Sequence, residues 1–524
     1  MERGADVSWL RFHKGEGEDG KIMRIKTALI LALLASIMLI SFTVPIIMAK
    51  SKDDLDYGCM ARLLPSNGEI FGWIRDIWRL NYRFYGGYPG YRLAGTPADH
   101  EAAKYILKKF VEFGLHDARL EPVEGWTLWL PKEWRLSIRL GEEVKDIPCG
   151  FRPYTAFTDP KGVTAEMVYV GTGSDAEFRA KDVKDKIVLV DLIAPGLDND
   201  FLSRFSFFTY DPENTLPGRK ATQNWPVLNL VTSYENAIKY KAAGYIGILN
   251  FLADGRNLYY SPYTGVLTSL PGLYVSRDVG SYLKDLLTTS SIEANMVLLG
   301  SIEPGLTYNV VGVLPGKTDE IILVTSHHDG GATNDASGTS VVLALAKYFA
   351  GLPQNSRERT LMFLAAGGHF MGDIPTKSFI EQHEDLIPKI VATLNVEMIC
   401  KEYELVNGEF VETGLNMPRG MFISGPIGGV NQKLLSFAIN AITRYELDRT
   451  VILSATGPIG CPGVGGQFIA IGVPTIHFIA APPHQFTPED SPDKVAVEQL
   501  RPITAAYINI ISQIDATPSW ELRN

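Results

Sequence analysis

Short apolar, β-branched runs that break off in polar side chains recur through the second half of the chain, the pattern of strands buried on both faces of a sheet. The run 321–326 ends in His327-His328-Asp329 and a glycine-rich loop through Asn334-Asp335. Behind that loop Val341, Val342, Leu345, Ala346 and Phe349 repeat at helical spacing, with Ser337 placed to cap the helix start. Runs 360–366, 390–396 and 473–479 repeat the arrangement and lead into Gly367-Gly368-His369, Glu397 and Pro482-Pro483-His484. Helical spacing at 379–386, 434–445 and 500–514 fills the intervals. Repeated strand–loop–helix units predict an α/β fold, a mixed, mainly parallel sheet with helices on both faces. In such sheets ligands bind at the C-terminal strand tips.

The first half reads differently. A Trp- and Arg-rich helix is expected at 70–84, then a Gly-Pro turn at 86–90. Thr96 as N-cap, Pro97 at the first helical position and Asp99 near the dipole start a second helix, with Ala103, Ile106, Leu107, Phe110 and Val111 as its buried stripe and Gly114 as its stop. From residue 121 the pattern changes to short β runs, among them 163–170, 186–190, 245–251 and 270–276, with a short helix at 234–243. Residues 121–303 therefore read as a β-rich module inserted between the two parts, 50–120 and 304–524, of one α/β domain.

The stretch 27–49 carries no charge and is long enough to cross a bilayer core at ~1.5 Å per residue. Basic residues are denser before it (Arg11, Lys14, Lys21, Arg24, Lys26) than after it, where Asp53, Asp54 and Asp56 stand. The positive-inside rule then puts residues 1–26 in the cytoplasm and the bulk of the chain outside the cell membrane, tethered by a single transmembrane helix. A signal peptide starting at Met23, cleaved to release a secreted protein, is the alternative; the length of the run and Ile47 near the cut argue against it. Residues 51–66 read as a polar stalk.

Composition narrows the function classes. The 524 residues carry a formal net charge of −10 and no basic cluster, which argues against nucleic acid as a partner. Cys59, Cys149, Cys400 and Cys461 are scattered and make neither a zinc-knuckle spacing nor a disulfide scaffold, though one or two bridges would suit an extracytoplasmic domain. What remains is the set of side chains at strand tips. His327, Asp335, His369, Glu397 and His484 offer nitrogens and carboxylates from separate strands, which is what a divalent zinc site needs. His477 reads as buried in its strand, and His100, His116 and His383 take no role.

With these residues in view the sequence resembles the zinc aminopeptidases of metallopeptidase family twenty-eight, which includes glutamate carboxypeptidase and the transferrin receptor ectodomain. The resemblance covers residues 85–120 and 305–515. It is carried by Arg92-Leu93-Ala94-Gly95-Thr96-Pro97, Asn309-Val310-Val311-Gly312, Ser326-His327-His328-Asp329-Gly330-Gly331, Asp335-Ala336-Ser337-Gly338 and the segment Thr487 to Lys494. Asp185-Lys186 before Ile187-Val188-Leu189-Val190, and Lys241 to Gly244 before Tyr245, resemble the protease-associated domain that several peptidases carry as an insert.

The resemblance implies two zinc ions, a bridging Asp and a Glu general base toward the metal-bound water. His327 matches the first zinc His, and Asp329 the Asp that orients it. The bridging Asp falls on Asn334, with Asp335 next door; the catalytic Glu-Glu pair falls on Gly367-Gly368; the next strand's Asp becomes Glu397; the last zinc His falls on Phe486, with His484 two residues earlier. Two functions follow. One is a membrane-anchored, metal-dependent hydrolase acting on peptide or aminoacyl amide bonds through a rebuilt site holding one or two zinc ions on His327, Asp335, His369, Glu397 and His484. The other is a catalytically silent receptor or binding protein that keeps the fold. A purely structural role gives no reason for histidines to collect at strand tips.

Overall fold

The computed structural model describes residues 57–84, 87–260, 266–425 and 428–523, and residues 55–524 form one compact unit. The span read at 27–49 lies outside the described residues. Among these, no helix is long and apolar enough to cross a membrane.

The strand Ile321–His327 sits at the centre of the α/β half. It pairs in parallel with Thr360–Ala366 on one side and with Ile390–Val396 on the other, and Thr475–Ile479 continues the parallel set. Antiparallel neighbours then close both flanks, Glu293–Leu314 against Thr360–Ala366 and Arg419–Ile423 against Thr475–Ile479. The sheet is thus mixed around a parallel centre. Side chains of the central strand alternate between faces as the pleat requires: Ile322 and Val324 join the core under helices Asn67–Arg83, Pro97–Glu112, Ala336–Ala350 and Val497–Ala516, while Ile321 and Leu323 pack with Phe379 and Phe468 on the other face. Helix Ala336–Ala350 is buried nearly all round, in keeping with its apolar composition on every side.

Helix Pro97–Glu112 starts as its sequence directs, with the Thr96 hydroxyl accepting from the Asp99 N–H. Two expectations need correction. Ser337 does not cap its helix: it lies inside the first turn, where its hydroxyl donates to the Thr333 carbonyl and accepts from the Ile399 N–H, and Asp335 stands at the N-cap. The helix expected at 379–386 runs instead over Ile374–Gln382, because Pro375 suits a first helical turn.

Residues 121–303 share the sheet with the rest of the chain. His116–Leu140 and Glu293–Leu314 form a long antiparallel pair that runs from the α/β half into a second layer built on Val163–Tyr169, Ile187–Leu192, Gly244–Leu249 and Gly272–Ser276. Ser206–Tyr210 returns to pair with Thr450–Ser454, at the opposite edge of the sheet. The second layer has its own core of Ile187, Leu189, Ile246, Ile248, Leu273 and Met296. The four cysteines are free.

Candidate metal centre

The loop after Ile321–His327 is fixed by three landmarks of the sequence. Arg92, fully buried, donates to the carbonyls of His328 (2.8 Å) and Gly331 (2.9 Å). Asp490 accepts from the Thr333 hydroxyl (2.7 Å) and from the backbone N–H groups of Thr333 (2.8 Å) and Asn334 (2.9 Å). Gly331 is obligatory here, since a Cβ would lie 2.1 Å from the Asp490 carboxylate. These bonds satisfy the buried backbone of an irregular segment and fix what it presents.

What it presents is Asp335, at φ 93° and ψ −33°, a conformation that costs of order 1–3 kcal/mol in a non-glycine residue. The N-cap side chain makes no cap bond; Oδ1 lies against His327 Nε2 instead. His327 Nδ1 is held by Asp329 Oδ1 at 2.8 Å, which directs Nε2 into the site. The same Asp329 carboxylate accepts from the backbone N–H groups of His369 (3.0 Å) and Phe370 (3.2 Å) and so ties two strand tips together. Glu397, at the tip of the neighbouring strand, brings Oε2 to 3.6 Å from His327 Nε2, while its Oε1 accepts from Asn395 Nδ2 (2.7 Å) and the Val464 N–H (3.1 Å). Ligand atoms of His327, His369 and Glu397 lie within 4.8 Å of one another.

Electrostatics fit this geometry. Burial, together with the Glu397 and Asp329 charges, pushes the Asp335 carboxyl well above its usual range. Burial disfavours the Glu397 charge too, but His327 and His477 outweigh it and hold that carboxyl down at about 2. Burial opposes charge on His327, yet Asp335 and Glu397 beside it raise the imidazole well above 6.5. His327 Nε2, both Asp335 oxygens and Glu397 Oε2 are buried without a well-formed hydrogen bond. Converging buried nitrogen and oxygen atoms without well-formed hydrogen bonds fit a cation, and the His-His-Glu donor set suits zinc.

His484 is not brought into this cluster. It is buried behind Thr333, its Nε2 3.5 Å from the Thr333 hydroxyl and its ring edge-on to Tyr403, and burial pushes it down to about 3. Phe486, where the last zinc His was expected, packs at 4.9 Å on Phe370, which in turn meets the His327 ring edge at 5.1 Å. Gly367 and Gly368 leave no room for the missing carboxylates: a Cβ on Gly367 would lie 2.4 Å from both Thr307 Oγ1 and the Tyr308 carbonyl, and one on Gly368 2.9 Å from Ala94 Cβ.

Two residues escaped the sequence reading. Asp373 takes His369 Nδ1 and is itself held by Gln467 Nε2 at 2.9 Å; the His-x-x-x-Asp spacing was the available signal. His477, one of the five histidines at or near the strand ends but read as filling its strand, sits against the Asn395 amide at 3.1 Å with its Nε2 buried and unpartnered.

The sequence profile of Peptidase family M28 matches residues 309–412, the stretch that supplies His327, Asp335, His369 and Glu397. Over that stretch the chain is similar to peptidase family M28. Among curated proteins it is similar to aminopeptidase YwaD of Bacillus subtilis, 23% identical over 334 residues, a match spanning 62% of either chain and so under two thirds of that relative. Solved structures share the fold. A zinc aminopeptidase from Bacillus subtilis superposes with a TM-score of 0.59 at 18% identity, over 87% of this chain and 98% of that one. A peptidase M28 precursor from Shewanella amazonensis gives 0.60 at 18% identity, over 90% and 98%. The aminopeptidase of Aneurinibacillus sp. strain AM-1 gives 0.54 at 22%, over 87% and 94%. Gly367, Gly368 and Phe486 are close-packed in this fold.

Proposed function

We propose that this chain is a metal-dependent hydrolase of the aminopeptidase type that holds one zinc-like ion on His327, His369 and Glu397, with Asp335 beside them, and cleaves peptide or aminoacyl amide bonds. The observation that carries the reading is the convergence of those three ligand atoms within 4.8 Å, with lone-pair atoms of His327 and Glu397 buried and unpartnered. Zinc held there would polarise a carbonyl and lower the pKa of water. Asp329 and Asp373 fix the two imidazoles by their Nδ1 atoms. Phe370 and Phe486 exclude solvent from one wall. Amide hydrolysis consumes one water and yields an acid and an amine, so a proton must pass from water to the leaving nitrogen. With glycine at 367 and 368, Asp335 is the carboxylate placed to carry that proton, because it is buried beside His327 at the tip of the same strand and loop. Tethering by residues 27–49, with these domains outside the cell membrane, completes the proposal and rests on the uncharged run and its basic flank.

A binding protein with a silent site is the second reading, favoured by the closed space at Gly367 and Gly368. Reloading the metal-stripped full chain with zinc separates the two. Retention of one ion per chain and zinc-dependent release of amine from peptide or aminoacyl amides, lost in Asp335→Asn with the ion kept, is the expected result. A folded chain that retains no ion and hydrolyses nothing overturns the hydrolase.

A further inference from the structure

Beside His369 opens a cavity of about 890 Å³, at the upper end of the range for small-molecule sites. His369, Asp373 and Gly463 form its metal-side wall, and Trp225, Met398, Phe422 and Leu453 are among the apolar side chains that line it. Apolar residues continue onto its rim, where Val231 and Val266 are 58% and 63% exposed. Arg152 lines the same cavity, from the second layer. Its guanidinium lies 3.8 Å over the Tyr234 ring, and its Nε is buried without a hydrogen-bond partner. Among the described residues no carboxylate pairs with it; Glu235, which also lines the cavity, is exposed and stands apart, and Asp373 is engaged by His369 and Gln467. The ionisable groups that feel its charge are the phenols of Tyr234, Tyr245 and Tyr274.

A cation half withdrawn from water with only an aromatic face for company is under-compensated. An apolar chamber with one such cation and a metal-side wall is the negative image of an amphipathic acid. We infer that the substrate of this site is an amide carrying a bulky apolar group and a free carboxylate, the carboxylate held by Arg152 and the apolar body filling the chamber. Two sources share that chemistry, an N-acylated amino acid and a short hydrophobic peptide with a free C-terminus. The inference rests on the hydrolase reading for its cleavage step alone. Recognition of the acid is a property of Arg152 and the chamber.

The test is binding of uncleavable ketomethylene isosteres of N-octanoyl-phenylalanine and of Leu-Phe to the full chain in phospholipid nanodiscs, followed by tryptophan fluorescence and calorimetry. Each acid is compared with its methyl ester. The acid is expected to bind at least about ten-fold tighter than the ester, the scale of one charge-assisted hydrogen-bond pair. The preference should vanish in Arg152→Gln and return in part in Arg152→Lys. A preference shown by the octanoyl compound alone assigns the N-acylated class; one shown by both compounds or by the peptide alone assigns the peptide class. Equal binding of acid and ester by the unaltered chain overturns the inference without any variant, as does an acid preference that survives Arg152→Gln. Acid preference without cleavage of the parent amides by the zinc-loaded chain leaves the ligand class standing and overturns the hydrolase instead.

Discussion

The two sides of the candidate centre have had opposite fates. On the side of strands Ile321–His327 and Ile390–Val396, one atom of each side chain is held and the other is left free to face the site: Asp329 holds His327 Nδ1, and Asn395 with the Val464 N–H holds Glu397 Oε1. On the side of Gly367, Gly368 and Phe486, the positions where the family resemblance leads one to expect a base and a further ligand are filled by close backbone contact and an aromatic stack. Orientation by hydrogen bonds keeps lone pairs available, whereas packing removes the space they would need. On the reading proposed above, one side of the site holds the ion and the other serves as wall.

The sharpest way to break this comparison is His327→Ala, which removes a ligand atom from the retained side. Elemental analysis after dialysis should show the bound ion lost, an affinity drop of well over 100-fold, since loss of an orienting partner alone costs about 10–100-fold. An ion that stays would place the centre elsewhere. Phe486→Ala tests the wall: truncating this buried ring, in contact with Phe370 and Tyr259, should cost about 3–5 kcal/mol in denaturant melts while leaving metal stoichiometry at one. A second ion gained on substitution to His would instead restore the two-sided site. Asp373→Asn should weaken the metal about 10–100-fold with little loss of stability, because Asp373 orients His369 and is itself only partly buried.

The smallest effect lies in pH. The buried His484 is held at about 3 in the folded chain, against about 6.5 when unfolded. Between those values the unfolded state takes up a proton that the folded state refuses, so stability falls as pH drops below about 6.5. His484→Leu should flatten the acid limb of a stability curve by up to about 1.4 kcal/mol per pH unit. An unchanged slope would show that His484 is solvated and nearer the metal than its burial allows.

Much of this was legible in the chain. Period-two and unbroken apolar runs located the central strands within a residue or two, because a strand buried on both faces tolerates little else. Capping residues placed the start of Pro97–Glu112, since their bonds are local. The placement of Ser337 failed for the opposite reason: Asp335 takes the N-cap backbone position but spends its side chain on His327, a contact made across the fold. His484 and Phe486 show the same limit. Two residues apart in sequence, they face different neighbours, and only packing separates them.

The sequence by itself determined the order of strands and helices, the histidines and carboxylates gathered at strand tips, and the resemblance to M28 peptidases, because these follow from local periodicity and short motifs. Tertiary structure alone decided which of those tips converge, that Asp373 joins them, that Gly367 has no room for a side chain, and that Arg152 from the second layer faces the same chamber as His369. Such facts depend on distances between segments far apart in the chain, 217 residues from Arg152 to His369, and no local propensity encodes them.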